Sequence, residues 1–586
     1  MNAPRAMDHT HRFRTAGRTT RRPFAAWSLA VLSLFICPSL ADTARCDDDP
    51  TGSAHGEIAS RSERDPGGSP ESRMQRRREG QADRPLEGGR PREGDQPRDG
   101  DRSREAGRRQ DVNIPRSTDR ILPPATTADP ILARLVESNM PEAAARAMKK
   151  AASFYRRKVA SYGGYVYYYS LDLRQRWGEG KAAPYTIFVH PPGTPTVGMA
   201  YLEAHEATGD YFYLEAARDA AKALVYGQLE SGGWAQKIHF AKPDRGRLGK
   251  YRKGRGGSWN VSSLDDGQTQ AALRMLIRTD RALDFEDPEI HEAAMYGLDA
   301  LLAAQFPNGA FPQGFRGPVE PHPVVKAKFP DYDWRTEGRI KNYWDYYTLN
   351  DNLAGTVSDV LIEAHRVYAA PQYKAALERL GDFLILAQMP EPQPAWCQQY
   401  NYQTIPIWAR KFEPPAITGS ESQDVMRTLI RIADYTGDKK YLEPIPRALA
   451  YFKKSLLPDG RVARYYELKT NRPLYMTPDY ELTYDDSAVP SHYAWKRSAD
   501  FDEIERACRA ARKGDSPAPA PSTAQLARNA RRIIHELDAE GRWITTHDGR
   551  RLVGQPKFPV GFKYISSATF SQNLHTLSQY IELSKK

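Results

Sequence analysis

From about residue 130 onward, one arrangement of apolar and polar positions recurs along the chain. A helical stretch of small and apolar residues runs into a loop that combines glycine with an aromatic ring. The first copy ends in Tyr162-Gly163-Gly164-Tyr165. The second runs from Thr208-Gly209-Asp210-Tyr211 through Tyr213-Leu214-Glu215-Ala216-Ala217 to Gln228-Leu229-Glu230-Ser231-Gly232-Gly233-Trp234. The third runs from Pro288 through Leu298-Asp299-Ala300-Leu301-Leu302 to Gln305-Phe306-Pro307-Asn308-Gly309-Ala310-Phe311. A fourth spans Tyr373 to Trp396, a fifth Thr436 to Gly460, and a fainter sixth Leu526 to Trp543. The period of about 65–85 residues holds two helices and their loops. The spacing predicts the second helix of a unit over Thr269–Arg278, Ala354–Val367 and Gln423–Tyr435. In the last of these Val425, Leu429, Ile432 and Ala433 share one face.

Helical hairpins repeated in this way bury their apolar faces against their neighbours. The expected fold is therefore all-α, an α/α toroid of incomplete or full circumference over residues 121–586. Its glycine–aromatic loops should emerge on one end, where a rigid scaffold presents its chemistry.

The N-terminal stretch follows a different pattern. Residues 1–23 are rich in arginine and poor in acids, Phe24 to Ala41 is apolar, and Ser39-Leu40-Ala41 offers small residues at a cleavage position. Residues 1–41 read as a signal peptide, which predicts export to the periplasm or the extracellular space. Thr20-Arg21-Arg22-Pro23-Phe24 also resembles a twin-arginine signal. Residues 42–120 are almost all Arg, Asp, Glu, Gly, Pro, Ser and Gln, and too little there can be buried to offset chain ordering. A disordered linker with nearly balanced charge is expected, and its many acids argue against a nucleic-acid arm.

The chain has 586 residues, 40% hydrophobic, with a net charge of +11 and four cysteines. Four cysteines exclude a disulfide scaffold. No apolar run after the signal is long enough to span a membrane. The positive charge suits a polyanionic partner, nucleic acid or acidic polysaccharide.

Three segments concentrate polar groups. Leu264-Asp265-Asp266-Gly267-Gln268-Thr269-Gln270 and Tyr347-Thr348-Leu349-Asn350-Asp351-Asn352 each precede a predicted helix. An aspartate there is either an N-cap or, if both loops meet at one end of the ring, a ligand of a shared hard cation such as Ca²⁺. No His/Cys cluster has zinc spacing. The third segment runs from Trp396-Cys397-Gln398-Gln399-Tyr400 through Trp408-Ala409-Arg410 to Ser422, and Arg461, Arg464, Lys469 and Arg472 follow it. Arginine forks bind carboxylates in two parallel hydrogen bonds.

With these stretches in hand, the sequence resembles the pectate lyases of polysaccharide lyase family 10. The resemblance covers about residues 220–500. It is carried by Asp265–Thr269, Phe306–Gln313, Thr348–Asn352, the segment Trp396–Ser422 and Thr470-Asn471-Arg472-Pro473, in the family's order. It implies cleavage of polygalacturonate by calcium-assisted β-elimination. On that analogy Asp265, with Asp266, and Asp351 position Ca²⁺ and substrate, and Arg410 stands where the family's base lies. Arg464, Arg472 and Lys469 would hold uronate carboxylates, and Trp396, Tyr400 and Trp408 would supply aromatic platforms. The expected partner is pectate, with no nucleic acid. After Pro473 the family's Ser-Gly-Arg-Asp-like turn is replaced by Leu474-Tyr475-Met476-Thr477-Pro478-Asp479-Tyr480, which removes one arginine. The loop Pro321–Lys341 is long and charged, and the chain after about 503 lies outside the resemblance. The competing readings are a toroidal glycoside hydrolase or cyclase, since Gln228–Trp234 is similar to the Gln-Trp repeats of triterpene cyclases, and a non-catalytic polyuronate-binding toroid.

Overall fold

A computed structural model describes residues 130–586, apart from 244–245, 255, 492, 516–521 and 586. The signal peptide and charged linker expected in 1–120 lie outside the described residues. Thirteen α-helices occur among those residues: α1 (Pro130–Ser138), α2 (Met140–Phe154), α3 (Thr194–Thr208), α4 (Tyr211–Gly227), α5 (Gln268–Ala282), α6 (Pro288–Ala303), α7 (Leu353–Tyr368), α8 (Pro371–Leu386), α9 (Gly419–Thr436), α10 (Ile445–Lys454), α11 (Phe501–Lys513), α12 (Thr523–His535) and α13 (Ser567–Ser584). Each predicted second helix is present, inside α5, α7 and α9. Val425, Leu429, Ile432 and Ala433 are all buried. None of the helices is long and apolar enough to cross a membrane.

Packing orders these helices into the α/α toroid. An inner row runs α13, α3, α5, α7, α9, α11, each packed against the next named. Outside it, α4 bridges α3 and α5, α6 lies on α4 and α5, α8 bridges α7 and α9, α10 lies on α11, and α2 and α12 lie on α13. The C-terminal stretch, outside the family resemblance, thus supplies an inner helix that packs on α3. A five-stranded antiparallel sheet joins the two ends of the described chain, in the order 544–546, 563–566, 168–170, 176–178, 180–181, with Tyr168 opposite Ser566. Cys397 and Cys508 are buried and unpaired.

The recurring loops have a physical explanation. Three of them, after α4, α6 and α8, begin with a glutamine. Gln228 donates from its amide to the carbonyls of Gly232 and Ala293, and Gln305 to those of Gly309 and Ala376. Gln388 does the same to Pro394 and Pro444. One bond therefore closes the loop and the second reaches the next outer helix or its entry. An arginine closes the other side, Arg252 on Gln228, Arg379 on Gln305 and Arg447 on Gln388. The loop tryptophans point back: the indoles of Trp234, Trp396 and Trp543 donate to Leu224, Leu384 and Ile533 in the preceding helix. Glycine is required at the turn because Gly309 has φ +93° and a Cβ there would lie 1.8 Å from the Arg379 carbonyl oxygen. These loops are stitches between neighbouring hairpins, which is why the repeat is visible in the sequence.

Two-residue ladders then link successive loops at this end, Ser262 opposite Phe315 and Tyr347 opposite Tyr400. Replacing Gln305 by alanine leaves the Gly309 and Ala376 carbonyls without that partner, and urea unfolding should show a loss of about 2–3 kcal/mol.

Candidate active site at the N-terminal end of the inner helices

The loops into α5 and α7 have one design. A short strand (Ser262–Ser263; Tyr347–Thr348) leads to a 3₁₀ turn (Asp265–Gly267; Asn350–Asn352) and then to the helix. The middle residue of each turn is an aspartate in the left-handed region, Asp266 at φ 47° and Asp351 at φ 52°. Left-handed backbone costs a non-glycine residue about 1 kcal/mol or more, and such strain collects at functional sites. The aspartates do not cap: neither α5 nor α7 has a side-chain cap. Instead Asp265, Asp266 and Asp351 each bring a carboxylate oxygen within 4.8 Å of the others. Asn350 donates to Asp351 Oδ2 at 2.7 Å, and its own buried Oδ1 accepts no hydrogen bond. Three carboxylates and an open amide oxygen form a hard-oxygen donor set that fits Ca²⁺.

Arg410 joins this group, its Nη2 lying 4.0 Å from Asp351 Oδ2. Its Nε donates to Glu413 Oε2 at 3.0 Å, and the same oxygen accepts from the Arg410 backbone N–H. Tyr493 donates to the other oxygen of Glu413 at 3.0 Å, and the Tyr465 hydroxyl lies 3.0 Å from both Tyr493 and Gln398 Oε1. Burial works against the charge on Arg410, but Glu413 first, then Tyr343, Tyr493 and Asp351, outweigh it and hold the guanidinium well above its ordinary range. Burial raises the Glu413 carboxyl, but Arg410, hydrogen bonds and Arg464 pull it below the usual range, so it is ionised.

Arg464 reaches the neighbourhood but is committed. It is buried, 3.3 Å from Glu421 Oε1, with its guanidinium 4.0 Å from the centre of the Tyr493 ring. Arg472 is exposed and lies on the face of Tyr484, 3.3 Å from its centre, and makes no ion pair among the described residues. Lys469 lines a separate cavity of about 340 Å³ with Gln393, Arg447, Tyr451, Lys454 and Asn471. It is thus placed beside α10, and the metal-type carboxylates are not among that cavity's lining.

The expected aromatic platforms are a correction. Trp396 and Tyr400 are completely buried, their polar atoms donating to Leu384 and Ala387. Trp408 is 2% exposed, donates to the Trp334 carbonyl and is covered by Arg339 at 4.0 Å. None of the three offers a ring face to a sugar. The loop Pro321–Lys341 supplies the cover over Trp408, and Arg335 anchors it through an ion pair with buried Glu467.

Several residues of this end were missed in the sequence. Glu413 and Glu421 stand in the quoted third segment, but only spacing three residues from Arg410 and the start of α9 hinted at a role. His190, whose Nε2 lies 3.2 Å from Asp266 Oδ2, comes from a loop far outside the resemblance. Asp424, one turn beyond Glu421 on α9, is pushed up to about 7 by burial, then by Glu421, against the pull of Arg427 and Arg497.

Residues 228–462 match the family described as pectic acid lyase. Among solved structures, the chain is similar to a mutant of the family 10 polysaccharide lyase from Cellvibrio cellulosa in complex with trigalacturonic acid, at 19% identity over 54% of this chain and 99% of that one, with a TM-score of 0.38. It is also similar to cellobiose 2-epimerase from Spirochaeta thermophila, at 14% identity over 78% and 99% of the two chains and a TM-score of 0.41. A GH76 α-mannanase from Bacteroides thetaiotaomicron gives 11%, 78%, 99% and 0.37 in the same terms. No curated protein matches the chain.

Asp424 generates a pH signature. Unfolded, it ionises near about 4. Folded, it keeps its proton to about 7, so the native state binds the extra proton in that window and loses stability as pH rises through it. Asp424→Asn removes this loss. Thermal unfolding should show the variant gaining on the parent between pH 5 and pH 8.

Proposed function

Residues 228–462 match the pectic acid lyase family, which supports polysaccharide lyase activity, and from that premise we propose that the protein cleaves polygalacturonate or a related polyuronate by β-elimination. The observation that carries this reading is the meeting of Asp265, Asp266, Asp351 and Arg410 at one end of the inner helices.

The chemistry follows from the substrate. The hydrogen on C5 of a uronate is made weakly acidic by the adjacent carboxylate. Asp265, Asp266 and Asp351 would hold Ca²⁺, which when bound neutralises that carboxylate and stabilises the charge developing beside it. Arg410 occupies the base position. Its Nε is fixed by Glu413, so the guanidinium can meet a substrate only through its terminal nitrogens. In its neutral form, a terminal nitrogen takes the C5 proton, the electron pair forms the C4–C5 double bond, and the C4–O bond breaks, the leaving oxygen taking a proton from water. The products are one unsaturated uronate end and one new reducing end. Glu413, itself tethered by Tyr493, orients Arg410, and exposed Arg472 offers an open fork for a neighbouring uronate carboxylate.

The same ion pair favours a second reading of Arg410. Because Glu413 and Asp351 hold it charged, Arg410 acts in that reading as a cationic clamp on the uronate carboxylate. The two separate by pH. A base with a raised pKa is deprotonated in a fraction that grows about tenfold per pH unit, so kcat/KM rises with that slope into the alkaline range. A clamp gives no such slope, and Arg410→Lys then keeps much of the activity.

The apolar stretch Phe24–Ala41 supports export, and the net charge of +11 suits an acidic polysaccharide partner. Purified protein should generate ultraviolet absorbance from unsaturated uronate ends on polygalacturonate, and a chelator should abolish it. New reducing ends without absorbance would mark a hydrolase, and binding without either a non-catalytic toroid. Arg410→Ala should lower kcat by about 10²–10⁴-fold with an unchanged far-ultraviolet circular dichroism spectrum. Asp351→Asn should raise the Ca²⁺ concentration needed for half-maximal rate.

A further inference from the structure

A second group of metal-type donors lies beside the first and comes from different parts of the chain. Glu179 stands on the hairpin formed by strands 176–178 and 180–181, His190 in the loop that enters α3, and Asp266 in the loop that enters α5. One ligand atom from each lies within 4.8 Å of the other two. The side chains of His190 and Asp266 are 8% and 10% exposed, and Glu179 is half-buried at the edge of the group.

Three features bear on what this group can hold. The His190 Nε2 to Asp266 Oδ2 separation of 3.2 Å is longer than a charge-assisted bond, which closes to about 2.7–2.9 Å. Two carboxylates, those of Glu179 and Asp266, each bring an oxygen within 4.8 Å of an imidazole nitrogen of His190. The opposite ring nitrogen, Nδ1, is engaged by the hydroxyl of fully buried Tyr167. An outer-shell partner of this kind fixes the ring and its tautomer and turns Nε2 toward the ligand position. Gln236 likewise holds the Glu179 carboxylate through its side-chain amide.

We propose that Glu179, His190 and Asp266 form a second cation site, selective for a divalent first-row transition ion and sharing Asp266 with the all-oxygen group of Asp265 and Asp351. One imidazole and two carboxylates suit such ions better than Ca²⁺. Asp266 stands between the two groups, so occupancy of one site competes with or reinforces the other through a single carboxylate. The inference rests on geometry and does not depend on the lyase reading.

Mn²⁺ is the probe, added to the full chain after chelation and desalting. The expected result is a bound Mn²⁺ whose electron spin echo envelope shows ¹⁴N modulation from a histidine ligand, and loss of that modulation in His190→Gln. Glu179→Gln and Tyr167→Phe should each weaken Mn²⁺ binding by about 10–100-fold. If His190→Gln fails to fold by circular dichroism, these two variants carry the test. Bound Mn²⁺ without nitrogen modulation would put the ion on the all-oxygen carboxylates alone and overturn the proposal. So would no uptake of Mn²⁺, or unchanged affinity in Glu179→Gln. Absence of activity on polygalacturonate would leave the Mn²⁺ result standing, so the two readings fail separately.

Discussion

Like charge crowded at one end of the inner helices is the constraint on which the rest of this structure depends. Asp265, Asp266 and Asp351 lie closer together than ionised carboxylates tolerate without compensation. Part of the compensation is built in. Each turn delivers its aspartate to the N-terminus of an inner helix, where the backbone dipole favours negative charge. The toroid makes this possible because every inner helix starts at the same end. Two adjacent hairpins with the same strand, 3₁₀ turn and helix then bring Asp266 and Asp351 together across the α5–α7 contact. Arg410 answers part of the remaining imbalance, and in the proposed reading a cation would answer the rest.

Arg410 answers it in a particular way. A buried guanidinium without partners would be expensive, and its two carboxylate neighbours differ in kind. Glu413 is buried, three residues away and bonded to both the side chain and the backbone of Arg410. Asp351 is at the limit of ion-pair distance. Glu413 therefore acts as the structural partner, and Asp351 is the one a metal ion can draw away without dismantling the segment. Arg464 shows the contrast. Burial against Tyr493 and pairing with Glu421 make it part of the wall, although a basic loop of the same composition would present it to solvent.

Much of this architecture is legible in the sequence, for a reason that lies in the loops. Gln228, Gln305 and Gln388 recur because each stitches its loop to the next outer hairpin, and Gly232 and Gly309 recur because the next helix leaves no room for a Cβ. A repeated mechanical task leaves a repeated pattern. The acidic loops are legible too, since Asp265, Asp266 and Asp351 precede predicted helices. Whether they cap or converge is decided by left-handed backbone at Asp266 and Asp351, which composition does not reveal. The aromatic assignments fail for a related reason. Trp396, Tyr400 and Trp408 sit in a segment dense with functional types, and there tryptophan and tyrosine serve as buried bodies with a hydrogen bond at the edge as readily as they serve as platforms.

The least legible contribution comes from the part of the chain before the family match. The hairpin carrying Glu179 is held by a sheet that also includes residues 544–546 and 563–566, from the far end of the sequence. His190 reaches Asp266 because α3 is the inner neighbour of α5. No local pattern announces such residues, for they are brought together only when α13 packs on α3 and joins the two ends of the described chain. A segment without family resemblance can therefore still shape the chemistry. Its ring position alone sets Glu179 and His190 against a carboxylate that the matched segment supplies.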